Sequence, residues 1–481
     1  RTIPNSLPGH PHPGELAACL LPCDLDRDGW DEAVAAINDG FVAFDLEREA
    51  PGVMWQHNVP PAYAGPPRAV WLGAAADVTG DRRPELFVTA DRRGQNPARL
   101  WVFDPAAQRN LSDILLPEGT VGAGGPGGHG CPGGPLRWVC AGVLIGGRPA
   151  GADGGEGGGE GDRRGEGARG HAPLAILVGL REAGPGALLA LDPLSGREAW
   201  RRDLPGRPYV AAVAFTDADG DGEREIVLAT AAVGAPDAPP SPTLDSPGPA
   251  GGAVLAVDAA GAVRWSHELD RPASVWMRAA DLDGDGAAEV ACATGLGGER
   301  SRGRLRILDG RTGGLLVEKP LPSDALGLEL LPRKGHGFVY VGLRGGGVNR
   351  YRYDRGRLAI DRRAVSTRAG RVVAFVQALP ETREPALLAL FASGGALLLD
   401  TELRPLCALD AATADLATAH ARVWAAGPRA RYLYVDAAVS RGYVFARNET
   451  WPQKWARRLA ELPARTRSEE HTSELQSHHP I

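Results

Sequence analysis

Short apolar runs recur along most of the chain, patterned with a period of two and closed by Asp, Gly or Pro. Five of them end alike: Phe41-Val42-Ala43-Phe44-Asp45, Leu100-Trp101-Val102-Phe103-Asp104, Leu188-Leu189-Ala190-Leu191-Asp192, Val254-Leu255-Ala256-Val257-Asp258 and Leu305-Arg306-Ile307-Leu308-Asp309. After the turn, Trp55, Trp200 and Trp265 each open a further short run. Such patterning between turn residues predicts antiparallel β-strands. The full unit is an apolar strand, an acidic loop, a second strand, a third strand ending in Asp, and a fourth. It repeats at a period of about 50–65 residues, insertions included.

Four antiparallel strands per unit make the blade of a β-propeller. Units begin near Ala17, Val70, Trp138, Val210, Val275, Leu326, Val372 and Ala419. The expected fold is therefore all-β, a β-propeller of seven or eight four-stranded blades, depending on whether the first and last pieces complete a single blade. The propeller is expected to occupy residues 1–452. Two segments break the rhythm, 146–170, rich in Gly, Glu and Arg, and 234–252, rich in Pro, Ser and Gly. Neither can bury enough apolar surface to order itself, so both read as loops grown out of blades. Residues 453–466 read as a linker or tail. Residues 467–481 open on Arg467-Ser468-Glu469-Glu470-His471-Thr472-Ser473-Glu474-Leu475-Gln476-Ser477, which matches the translation of a common sequencing-adapter oligonucleotide. That stretch is set apart from the fold.

Composition agrees with this reading. In 481 residues, Gly (65) and Pro (40) are abundant and aromatics make up only 6%, a mix suited to short strands and tight turns. The net charge of −6 gives no basic footprint for nucleic acid. The longest apolar stretch, from Ala386 to Leu399, is interrupted by Ser393-Gly394-Gly395 and reads as two strands around a turn, so no membrane span is expected. The chain opens on Arg1, from which it is expected to begin inside a longer product, so the lack of a leader here carries no weight. Its cysteines fit no CxxC metal or redox motif. Cys131 and Cys140 are spaced to close a short loop, and Cys292 is expected to be a buried thiol.

The acidic loops carry the chemistry. Asp24-Leu25-Asp26-Arg27-Asp28-Gly29-Trp30-Asp31-Glu32 is repeated as Asp217-Ala218-Asp219-Gly220-Asp221-Gly222-Glu223-Arg224-Glu225 and as Asp281-Leu282-Asp283-Gly284-Asp285-Gly286-Ala287-Ala288-Glu289. A weaker copy is Asp77-Val78-Thr79-Gly80-Asp81-Arg82-Arg83-Pro84-Glu85, with Thr79 at position 3 and Arg82 where Gly is preferred. Oxygens at positions 1, 3 and 5 converge on one point, position 6 needs a sharp turn, and position 7 (Trp30, Glu223, Ala287) offers its backbone carbonyl. The acid at position 9 (Glu32, Glu85, Glu225, Glu289) completes the set. An all-oxygen cage suits calcium over zinc or copper. An EF-hand is excluded, because its position 12 needs a bidentate Glu and here it is Ala35, Leu228 or Cys292. Three Ca2+ sites are expected, with a fourth in the Asp77 loop.

An apolar strand, DxDxDGxxE and a second apolar strand, repeated at blade spacing, resembles the FG-GAP/VCBS repeat found in integrin α-subunit propellers. Val233-Gly234-Ala235-Pro236 is similar to part of the motif that names the family, and the Leu188 to Trp200 segment is similar to PQQ-type propeller repeats. The resemblance spans roughly residues 15–450 and is strong up to about residue 310. It implies structural calcium, an extracellular, cell-surface or periplasmic home, and a protein or polysaccharide ligand bound on other surfaces.

Enzymatic readings find less support. A lyase of the rhamnogalacturonan type needs a base near metal-bound uronate, yet of the three lysines (Lys319, Lys334 and Lys454) none is expected beside an acidic loop. The vicinal cysteines of many quinoprotein dehydrogenases are missing, as are HExxH and GxSxG motifs. Gly122-Ala123-Gly124-Gly125-Pro126-Gly127 lacks the flanking strand and helix of a phosphate cradle. His57 and His267, at one offset after fourth-strand tryptophans, read as blade features. The expectation is a non-catalytic binding or adhesion module. The alternative is the extracytoplasmic sensor of a membrane signalling protein, with 451–459 leading towards the membrane.

Overall fold

The computed structural model describes most residues between 20 and 446; the segments 146–170 and 234–251, the tail 453–466 and residues 467–481 lie outside the described residues. Every regular element among the described residues is a β-strand. The strands form eight sheets, at 20–58, 69–115, 137–204, 209–268, 274–320, 325–364, 373–409 and 419–446, here called blades 1 to 8. Seven are four-stranded and blade 8 has three described strands, each blade running as an antiparallel meander in chain order. The first strand of each blade lies against that of the next, and Ala419–Trp424 of blade 8 lies against Leu20–Cys23 of blade 1. The sheets thereby close a ring, and the first and last pieces stand as separate sheets.

Burial corrects the expected period of two: the inner strands are buried continuously and do not alternate. Second and third strands are covered on both faces by neighbouring blades, so Glu225–Ala231 and Ala253–Val257 are buried at every position. Fourth strands such as Leu315–Pro320 form the exposed outer rim. Apolar clusters fill the spaces between blades: Trp265, Met277, Cys292 and Leu308 join blades 4 and 5, while Leu305, Leu328, Val341 and Tyr353 join blades 5 and 6.

The strand-ending Asp has a local job. Asp192 Oδ1 accepts the Leu194 and Ser195 N–H groups at 2.9 and 2.8 Å, and Asp309 Oδ1 does the same for Arg311 and Thr312. The side chain thus closes the turn between third and fourth strands. A bulge at the end of the third strand recurs beside it, between Ala256 and Val257, Ile307 and Leu308, and Leu398 and Leu399 among others.

This turn is also where blades are fastened together. The carbonyl one residue past the Asp accepts a side-chain hydrogen bond from the preceding blade at four interfaces. Ser112 Oγ donates to the Pro193 carbonyl (2.7 Å), Trp200 Nε1 to Ala259 (2.8 Å), Trp265 Nε1 to Gly310 (2.6 Å) and the Tyr340 hydroxyl to Thr401 (3.1 Å). Gly313, at φ +69°, leaves room for the indole: a Cβ there would stand 2.5 Å from Trp265 Cε3. Trp200 and Trp265, two of the fourth-strand tryptophans seen in the sequence, are interblade fasteners.

Candidate metal centre

Blades 1, 2, 4 and 5 carry the acidic loops, each between first and second strands. In blade 3 the same connection contains the segment 146–170, and in blade 6 it is the two-residue turn Lys334-Gly335 between Ala325–Arg333 and His336–Leu343. Equivalent blade positions put these connections on one face of the ring.

The loops fold alike because their own side chains hold the backbone. The position 1 carboxylate accepts the N–H of position 4: Arg27 N to Asp24 Oδ1, Gly80 N to Asp77, Gly220 N to Asp217 and Gly284 N to Asp281, all at 2.7 Å. Its second oxygen accepts the N–H of position 6, from Arg82, Gly222 and Gly286 at 2.7, 2.9 and 3.1 Å. The position 5 carboxylate accepts the N–H of position 7, from Arg83 to Asp81, Glu223 to Asp221 and Ala287 to Asp285. The glutamate at position 9 turns back on position 2, with Leu25, Val78, Ala218 and Leu282 N–H groups donating to Glu32, Glu85, Glu225 and Glu289 at 2.7 or 2.8 Å.

Two positions, not one, demand the left-handed region. Position 6 does, as expected, with φ +91° at Gly222 and Gly286 and 67° at Arg82. Position 4 does as well, with φ near +81° at Gly220 and Gly284, +82° at Gly80 and 70° at Arg27. The recurring glycine at position 4 was the available signal.

In each loop three carboxylates bring one oxygen apiece to within 4.8 Å of one another: Asp24, Asp26 and Glu32; Asp77, Asp81 and Glu85; Asp217, Asp219 and Glu225; Asp281, Asp283 and Asp285. Oxygens on opposite sides of a calcium ion stand about 4.6–5.2 Å apart at most, so each trio fits one ion. Asp28 and Trp30 lie outside the described residues. Thr79 stands beside its trio and donates to Glu85 Oε1 at 3.1 Å. Asp221 and Glu289 are outside the trios of their blades and hold backbone N–H groups; Glu223 and Ala287 could add carbonyls, as position 7 requires.

Electrostatics in the loops favour a cation. The four glutamates are buried, with 1–6% of their surface exposed. Burial, with the neighbouring carboxylates adding to it, raises Glu85 and Glu225 above the usual carboxylate range and pushes Glu289 up to about 7. Burial and then Asp285 raise Asp283, whereas the Ala287 N–H and then Arg311 hold Asp285 low. Clustered carboxylates resist ionising together, and a bound cation relieves that cost.

Other residues singled out in the sequence find plainer roles. His57 packs on Phe41 and Phe103, and burial lowers its affinity for a proton. Cys292 is a buried thiol pushed up to about 12 by burial. Cys140 corrects the short-loop expectation: it is a free thiol in the first strand of blade 3, buried against blade 2, while Cys131 lies outside the described residues. Lys334 corrects another. Distant in sequence from any acidic loop, its turn is brought by ring geometry against blade 5, where Gly335 N stands 3.6 Å from the Cβ position of Gly284. A shallow cavity of about 440 Å3 lies beside Val78 and Asp192-Pro193-Leu194-Ser195, but the Asp192 carboxylate there is engaged by its turn and held low by the Ser195 N–H.

No protein-family model matches the chain, and no curated protein matches it by sequence. Among solved structures it is similar to Saccharomyces cerevisiae Sqt1, at 10% identity and a TM-score of 0.53, over 92% of this chain and 99% of that one. It is also similar to the Dos1 propeller (11% identity, TM-score 0.44, 78% of each chain) and to the rhamnogalacturonan lyase YesW (15%, 0.48, 89% of this chain and 71% of that one). At such identities the likeness is one of fold, and the fold is a β-propeller.

Proposed function

We propose that this chain is a calcium-stiffened propeller of the FG-GAP/VCBS kind, working outside the cytoplasm as a non-catalytic binding module for a protein or polysaccharide. The observation behind the proposal is repetition. Four loops in equivalent blade positions, with differing intervening residues, hold three carboxylate oxygens within one ion's reach. A solvated acidic turn gives no reason for the same buried glutamate and the same two left-handed positions to recur. Calcium is favoured by the all-oxygen donor set, since magnesium keeps more of its water. Extracytoplasmic calcium stands at millimolar level, enough to fill even modest sites, and an ion bound only to the folded state stabilises it.

The non-catalytic part of the proposal is supported by the residues that the described structure places near the loops. Lys334 is the one lysine whose turn meets an acidic loop among the described residues, and blade 5 offers it backbone and carboxylates already committed to the loop. Equilibrium dialysis of the purified chain against calcium tests the proposal. Uptake of three or four ions per chain, lost stepwise in Asp217→Asn and Asp281→Asn, is expected; no uptake at millimolar calcium refutes it.

A further inference from the structure

The four loops stand as two adjacent pairs, and one arginine ties each pair together. Between blades 4 and 5, Arg311 Nε donates to the Asp219 carbonyl at 3.1 Å and Nη1 donates to Asp285 Oδ2 at 2.9 Å. Between blades 1 and 2, Arg27 Nε donates to the Arg82 carbonyl at 3.1 Å, Nη2 donates to the Asp81 carbonyl, and Nη2 stands 3.8 Å from Asp81 Oδ1. These arginines are not equivalent in the repeat. Arg27 is position 4 of an acidic loop, and Arg311 lies in the turn between third and fourth strands of blade 5. Both nevertheless finish at the position 5 carboxylate of the later blade. Backbone contacts add to the link between blades 4 and 5: Ala288 N donates to the Asp217 carbonyl at 3.3 Å, and a Cβ on Gly220 would stand 3.2 Å from the Gly286 carbonyl oxygen.

Resting on the reading of these loops as calcium sites, we infer that they fill as two coupled pairs, blades 1 with 2 and blades 4 with 5, in place of four independent sites. An ion in blade 4 fixes Asp217 and Asp219, whose carbonyls hold Ala288 and Arg311. Arg311 in turn fixes Asp285, a ligand of the blade 5 ion. Ordering imposed by the first ion is then already in place for the second, which makes the coupling positive and, by linkage, reciprocal. The guanidinium between the sites also offsets part of the repulsion between two neighbouring divalent ions. Lysine is a poor replacement, because its single nitrogen lacks the planar fork by which Nε meets the Asp219 carbonyl and Nη1 the Asp285 carboxylate.

Calcium isotherms of the full chain in an Asp24→Asn, Asp77→Asn background, which leaves the blade 4–5 pair, test this. Asp219→Asn removes the blade 4 site, and it should also weaken the remaining site about fivefold or more. Arg311→Gln and Arg311→Lys should keep two ions per chain, lose most of the positive coupling, and shrink the cost of Asp219→Asn at the blade 5 site to what the Ala288 to Asp217 backbone bond still carries. Arg311 is on the surface, and circular dichroism with gel filtration confirms that these variants fold. An Asp219→Asn chain whose blade 5 site binds as tightly as before overturns the coupling alone, as does Arg311→Lys behaving as wild type. A wild-type chain that takes up no calcium overturns both the coupling and the reading of the loops.

Discussion

Blades 4 and 5 are joined differently from blades 6 and 7, although both junctions end on the same backbone atom. At the first, a neutral indole reaches across: Trp265, 8% exposed, donates to Gly310 and lies over Gly313. Acidic loops flank it on the face of the ring. At the second there is no acidic loop among the described residues, and the charge is built into the junction. Arg350, 3% exposed, donates to the Thr401 carbonyl, to Glu402 at 2.7 Å and to Asp361, with its guanidinium 4.4 Å from the centroid of the Phe338 ring. Ring geometry fixes the acceptor, the carbonyl following the strand-ending Asp, and leaves the donor free to vary. A buried ion pair does not by itself replace an acidic loop. Arg306 of blade 5, 5% exposed, pairs with Glu318 and Asp270 at 2.6 and 2.8 Å, and that blade keeps the Asp281 loop. In blade 6 the same connection is the turn Lys334-Gly335.

The comparison is broken most forcefully at Trp265. Trp265→Ala removes a buried indole and its hydrogen bond and should cost about 3–5 kcal/mol, read by denaturant unfolding, with hydrogen exchange rising first along blades 4 and 5. Arg350→Met should cost roughly 3 kcal/mol, the lower end for a broken buried pair, because Asp361 and Glu402 keep about a third of their exposure. A second change, Glu402→Gln, should recover part of that loss and would have no such effect beside Trp265. Gly313→Ala combines a left-handed φ with a clash against the Trp265 ring, whereas Gly356, at φ +78°, has open space around it. The first substitution should cost about 2–3 kcal/mol and Gly356→Ala about 1 kcal/mol.

Acid should separate the junctions by the smallest margin. Burial, and then the Arg306 charge, lower His267 below its usual value, with the Gly313 backbone hydrogen bond and then Glu268 and Glu318 opposing. The unfolded chain therefore takes up a proton near pH 6.5 that the folded chain refuses. Stability held above pH 6.5 is lost as pH falls through the lowered folded value, and His267→Gln should flatten that slope. Glu402 is held low by its hydrogen bond to Arg350, so the blade 6–7 junction should lose stability only below the ordinary glutamate value of 4.5. Melting temperatures from pH 7.5 to 3.5 for His267→Gln and Glu402→Gln check both slopes.

Local patterning makes the blades and the loops legible in the amino-acid sequence. Strand pairs, strand-ending aspartates and DxDxDG spacing are written within a few residues of one another, and the expected strand starts fall within three residues of those observed. What joins blades is written elsewhere. Arg311 meets Asp219 across 92 residues, Arg350 meets Glu402 across 52, and the Lys334 turn meets a loop about fifty residues earlier only because blades stack in order. No local pattern marks those partners. The left-handed position 4 is visible as a repeated glycine, but Arg27 fills it in blade 1, where a hydrogen bond to Asp24 holds the strained backbone. Thr79 and Arg82 make the blade 2 loop look deficient, yet it keeps the same backbone bonds and gathers its own trio.

The central claim is that calcium in these loops stiffens the ring, and thermal unfolding tests it most directly. With millimolar calcium the melting temperature should stand several degrees above its value in chelator, with calcium and not magnesium restoring it, and Asp281→Asn should shrink the difference. A melting curve indifferent to chelation would contradict the claim and leave the loops as hydrogen-bonded turns on a propeller held together by its blade junctions alone.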